Sequence, residues 1–170
     1  MAKRISLREY QEGVVARLKT ATATAQVDAR LGVRIDNRNW LIDLADVAEV
    51  MPVPTISPVP LAHPWFRGTA NIRGNLVSVS DLAWFFGGTP LLSNPANRLV
   101  LLHPRHLPHA AVLVERMLGL KHLADLTEVE ADGGGNWNGA QYDDAAGTRW
   151  QVLEIPKLAS EPTFLQAGLN

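Results

Sequence analysis

Four prolines crowded at Pro52, Pro54, Pro58 and Pro60 set the firmest limit on what this chain can fold into. Proline has no amide donor, so it is excluded from helix interiors and central strands. The 52–60 segment must therefore run as an extended surface loop. Before it, apolar residues recur at period two over stretches of strand length. Leu31, Val33 and Ile35 alternate with Gly32 and Arg34; turn formers fill Asp36 to Asn39; Trp40, Ile42 and Leu44 then resume the pattern. That spacing predicts a hairpin. Leu44 to Met51 is expected to add one or two helical turns before the prolines stop it.

Beyond the loop the same grammar repeats. Trp65 to Ile72 and Asn75 to Ser80 flank Arg73-Gly74, which predicts a second hairpin in which Val77 and Val79 alternate with Ser78 and Ser80. Asp81 offers a carboxylate as N-cap to a short helix, Leu82 to Phe86, and Gly87-Gly88 supplies its stop. Gly68 and Gly74 read as turn residues adopting positive φ. Arg98 to His103 and Ala110 to Val114 form a third pair, followed by an expected helix near Glu115 to Leu123. A last pair is expected at Gln141 to Tyr142 and Arg149 to Ile155, after a glycine-rich loop from Asp132 to Gly139 too poor in apolar side chains to pack. Each half of the chain thus carries hairpin, short helix, loop and hairpin. Ahead of all this, Ser6 and Glu9 make a capping box for a helix carrying Leu7, Tyr10, Val14 and Leu18 on one stripe, and Thr20 to Gln26 reads as a linker. The fold class is mainly β, built of small barrels with short helices.

Composition removes several functions. There are 16 Lys plus Arg against 17 Asp plus Glu, so no general positive field exists to attract nucleic acid. Cysteine is absent, which rules out thiolate catalysis, disulfides and cysteine-based zinc sites. No apolar run is long enough to span a bilayer helically, and the charged start, Met1 to Tyr10, lacks the apolar core of a signal peptide. A cytoplasmic protein without membrane insertion is the expectation. His103, His106 and His109 invite a metal reading, but Pro104 and Pro108 interrupt them and no helical register unites them. Asp143 and Asp144 are adjacent and point apart, a poor acid–base pair. No phosphate loop or nucleophile elbow is present. Catalytic residues, metal and cofactor are therefore all expected to be absent.

One stretch is more specific. Val47-Ala48-Glu49-Val50-Met51, the loop through Ile56-Ser57-Pro58-Val59-Pro60, Gly68, Asn71-Ile72-Arg73-Gly74 and Asp81-Leu82 together resemble the signature of CheW-like domains. The resemblance runs from about residue 29 to residue 160, leaving 1–28 as helix and linker and 161–170 as a tail. It implies two packed five-stranded barrels of SH3-like shape. It implies a non-catalytic adaptor whose groove takes the signalling tip of a methyl-accepting chemoreceptor, while another surface binds the regulatory domain of a CheA-type histidine kinase. Carried onto this chain, the receptor-facing positions are Val47, Glu49, Val50, Arg73 and Leu99, with Glu49 and Arg73 brought together and Val47, Val50 and Leu99 lining the groove. The flanking helix and the tail, Leu158 to Leu165, are similar to members that serve type IV pilus twitching motility; flagellar chemotaxis is the alternative.

Overall fold

A computed structural model describes residues 29–168. The expected N-terminal helix and its linker lie outside the described residues. Strands β1 (Ala29–Ile35) and β2 (Arg38–Asp43) lead through a 3-10 turn (Leu44–Asp46) into β3 (Val47–Pro52), β4 (Phe66–Ile72) and β5 (Asn75–Asp81). Helix α1 (Leu82–Phe85) precedes β6 (Arg98–Leu102), β7 (Ala110–Val114) and β8 (Arg116–His122). A second 3-10 turn (Leu123–Asp125), β9 (Thr127–Val129), β10 (Asn138–Asp143), β11 (Arg149–Leu153), α2 (Ile155–Ala159) and α3 (Pro162–Leu165) complete the described chain.

The strands form two sheets. One has the order β8-β1-β2-β11-β10-β9 and the other β3-β6-β7-β5-β4. The mainly β architecture with few short helices is as the sequence indicates, the three-residue β9 raising the first sheet to six strands. The two halves of the chain do not fold separately. The N-terminal hairpin joins the C-terminal strands through a parallel β2–β11 pairing, Asn39 opposite Trp150 and Leu41 opposite Val152. The chain crosses to the second sheet at Leu44–Asp46 and returns at Glu115.

Both predicted hairpin turns form, with two consecutive positive-φ residues each: Asp36 (51°) and Asn37 (59°), then Arg73 (53°) and Gly74 (84°). Such turns match the right-handed strand twist. Two cores result. The larger lies between the sheets, joining Val33, Ile35 and Ile42 to Val100, Leu102, Val112 and Val114. The smaller lies inside the five-stranded sheet, where Ile72, Val77, Val79, Leu99 and Leu113 meet. Strands β6 and β7 feed both cores with alternate residues, so they read as unbroken apolar runs rather than as alternation.

Several local expectations are corrected. Helix in 44–51 is confined to Leu44–Asp46, because Val47 onward pairs with β6; Pro52 closes β3 on a sheet edge, where its missing donor costs no ladder bond. Glu115 to Leu123 is not helical: Arg116–His122 pairs with β1, bulging between Gly32 and Val33, and Gly119 takes φ 86°. Strand β11 ends at Leu153 since a helix begins at Ile155, with Pro156 in its first turn. The glycine-rich loop does pack: Trp137 stacks on Phe86 at 5.5 Å and meets Phe85 at a tilt, 5.0 Å away. With Trp65 and Phe164 at 5.8 Å and 14°, these rings tie the tail to the body.

Asp81 is fully buried and carries three contacts. Its carboxylate accepts from Trp84 N (3.3 Å), capping α1, from Leu91 N (2.8 Å) and from Arg67 Nη1 (3.4 Å). Gly87, at φ 92°, ends α1, with Gly88 N donating to Ala83 O at 2.9 Å and Gly87 N to Trp84 O at 3.0 Å. Gly68 sits in a bulge of β4, not in a turn. Its φ is 130°, and a Cβ there would stand 2.0 Å from Ser57 O, because the proline loop pairs back on β4 through Ser57 and Thr69. Gly74 has open space around its missing Cβ. Gly68→Ala should therefore lose about 2 to 4 kcal/mol in urea denaturation, and Gly74→Ala about 1, from backbone strain alone.

Candidate partner-docking site

The five-stranded sheet ends in two edges, β3 and β4, and exposed edges invite uncontrolled pairing. Here a charge pair spans them. Arg73, in the turn after β4, donates through Nη1 to Glu49 Oε1 at 3.1 Å and through Nη2 to Oε2 at 2.5 Å. Two parallel bonds from a planar guanidinium to a carboxylate fix orientation as well as distance.

Local structure explains how each partner arrives. Strand β3 bulges between Val47 and Glu49, Val47 pairing with Leu102 and Glu49 with Leu101, so Ala48 is the extra residue. The bulge sends Val47 into the core between the sheets and turns Glu49 onto the face of Leu101, toward the smaller core. Arg73 occupies the first central position of a turn that favours Asn, Asp or Gly there. A left-handed arginine is strained, and strain of this kind persists where surrounding contacts over-determine it. The Glu49 fork helps to hold it, as does Gly74 N donating to Asn71 Oδ1 at 2.9 Å.

The structure thus brings Glu49 and Arg73 together, as the resemblance implies. It does not leave Val47 and Leu99 on a groove wall. They are 1% and 0% exposed, because Val47 packs in the core between the sheets with Val100 and Leu102, and Leu99 in the smaller core with Val79 and Leu113. They support the surface from beneath. Val50 is half-buried and reachable. Just after the Arg73-Gly74 turn stands Leu76, 67% exposed at the start of β5, which the sequence reading did not single out; alternation against inward Val77 was the available signal. A second omission is the corner between the sheets. Asp46, only 9% exposed, contacts His106 Nε2 at 2.6 Å and Arg105 Nη2 at 3.3 Å, while Arg105 also donates to Ala45 O at 2.7 Å. That network ties the turn preceding β3 to the β6–β7 connection. It also scatters the three histidines: His103 Nδ1 accepts from Arg105 N at 3.2 Å, His106 faces Asp46, and His109 takes φ 53°. Among the described residues no group of three His, Cys, Asp or Glu is placed to hold a metal.

The sequence pattern described as the CheW-like domain matches residues 30–162. The chain belongs to the CheW-like domain family. Protein PilI of Pseudomonas aeruginosa PAO1 is 30% identical over 92 residues, 54% of this chain and 51% of PilI. The match thus spans about half the length of that relative. The crystal structure of the scaffolding protein TtCheW from Thermoanaerobacter tengcongensis aligns with a TM-score of 0.69 at 15% identity, covering 85% of this chain and all of the other. At that identity the likeness is one of fold. No helix among the described residues is long and apolar enough to cross a membrane.

The Glu49 and Arg73 side chains are 11% and 29% exposed, between the surface and buried regimes. A double-mutant cycle with Glu49→Ala and Arg73→Ala should give a coupling of about 1 to 3 kcal/mol. Coupling indistinguishable from zero would show that the clasp does not stabilise the fold.

Proposed function

We propose that this CheW-like chain is a non-catalytic cytoplasmic adaptor coupling a methyl-accepting chemoreceptor to a CheA-type histidine kinase, in a chemotaxis-like pathway that controls type IV pilus twitching. The observation that carries the reading is the Glu49–Arg73 clasp. It stands at motif positions of a family that now covers most of the chain, and it holds the β3 edge and the β4–β5 turn as one preorganised surface. Likeness to PilI supports the pilus branch.

The receptor's helical tip docks on this surface through Val50 and Leu76, with the clasp fixing their separation. A helix laid on a shallow surface depends on a few apolar anchors, and burying an unpaired carboxylate among them is costly. Val47 and Leu99 contribute by keeping β3 and β6 in place. The kinase's regulatory domain engages a separate face, so the two partners are held simultaneously and signalling passes without turnover.

Val50→Glu and Leu76→Glu should each weaken binding to a receptor signalling-tip fragment by at least about tenfold. The thermal melt of Leu76→Glu should stay near that of the parent, that of Val50→Glu should fall because Val50 also packs against the core between the sheets, and both should keep binding the kinase's regulatory domain. If both variants stay folded and bind the receptor fragment as the parent does, the docking surface lies elsewhere.

A further inference from the structure

One side of the molecule is under-packed. From Glu115 to Ala140 no residue is buried, and β8 and β9 are the only described strands without a buried side chain. The run is not short of apolar residues. Met117 is 39% exposed, and Leu118, Leu123, Leu126 and Val129 are half-buried and belong to neither core. Strands β8 and β9 are also the two edges of the six-stranded sheet, joined through the Leu123–Asp125 turn. Half-covered aliphatic side chains beside open edges form a surface with room for a cover.

The same surface carries one sign of charge. No lysine or arginine occurs between Lys121 and Arg149, an interval that holds six aspartates and glutamates. Asp132 and Asp143 are met by Arg149, and Asp144 accepts from Trp150 Nε1 at 3.1 Å. Asp125, Glu128 and Glu130 are exposed, with no side-chain hydrogen bond or ion pair among the described residues. What covers this side must therefore be apolar on one stripe and basic beside it.

We propose that the occupant is the chain's own N-terminal segment, residues 6–19, laid across the β8–β9 corner. Its sequence has both properties: Leu7, Tyr10, Val14 and Leu18 at helical spacing, and five Lys and Arg against Glu9 and Glu12 within residues 1–19. The point of attachment agrees. Ala29 pairs with His122 at the end of β8, so the chain enters β1 beside the Leu123–Asp125 turn. The nine residues of Thr20 to Asp28 span up to about 30 Å, and a helix over 6–19 is about 21 Å long. The corner is thus within easy reach, and a tether of this length gives a millimolar effective concentration. A lone helix so short is marginal in water; burying its stripe against Leu123, Leu126 and Val129 stabilises it, while its cations meet Asp125, Glu128 and Glu130. The covered β9 edge is then closed to strands of other chains, and the site is independent of the adaptor reading.

The absence of cysteine lets a single nitroxide be placed on the full chain without other changes. Paramagnetic broadening of the amide signals of residues 6–19 is read by NMR from a label at Thr127→Cys, on β9, and separately from one at Leu76→Cys, on the five-stranded sheet. The Thr127 label should broaden these signals strongly and the Leu76 label should leave them sharp. Adding Glu128→Lys and Glu130→Lys to the Thr127-labelled chain should remove the broadening, while unchanged β6 and β7 signals show that the fold is kept. The proposal is overturned if the Thr127 label leaves residues 6–19 sharp, if the Leu76 label broadens them as much, or if the two charge reversals change nothing. It is also overturned if the broadening is reproduced in full between spin-labelled chains and separate isotope-enriched chains, which would assign the surface to a second copy.

Discussion

Strands β6 and β7 are buried on both faces, and the rest of the molecule is arranged around that fact. Val100, Leu102, Val112 and Val114 face the core between the sheets, while Leu99, Ala111 and Leu113 face the smaller core. Burying an aliphatic side chain contributes roughly 1.5 to 3 kcal/mol, so this pair anchors both units at once. A strand covered on each side has no surface left for a partner. The proposed docking edge is β3, which borrows β6 for its ladder and keeps its other edge open.

An open edge next to a rigid core needs a device that holds it without pairing it. The bulge at Ala48 supplies half of that device by turning Glu49 toward β4, and the strained left-handed turn at Arg73 supplies the other half. The Asp46–His106–Arg105 network fixes the turn that delivers β3. Ordered strain, a bulge and a bidentate charge pair at one place are what a preorganised binding surface requires.

Much of this was legible in the sequence where the signal is local. The Asp36-Asn37 and Arg73-Gly74 turns, the Asp81 cap and the Gly87 stop follow from residues within a few positions of each other. What resisted was non-local. Nothing near Arg38 or Arg149 announces that their strands run parallel across more than 100 residues of chain. Met117, Leu118 and Leu120 fit a helix as well as a bulged strand, and only pairing with β1 decides. The unbroken apolar runs at Arg98 to Leu102 and Ala110 to Val114 identify strands but conceal which side chains are reachable, so nothing local marks Leu99 as buried. Glu49 and Arg73, 24 residues apart, were paired through family resemblance, since no spacing rule joins a strand to a distant turn.

Amide hydrogen exchange on the full chain, with and without a receptor signalling-tip fragment, addresses the central claim most directly. If the clasped edge is the docking surface, added protection should concentrate in Val47 to Pro52 and in the β4–β5 turn around Arg73. The β6 and β7 amides, already deeply protected by the double core, should change little. Protection appearing only on the six-stranded sheet, with β3 and the Arg73 turn unchanged, would contradict the account.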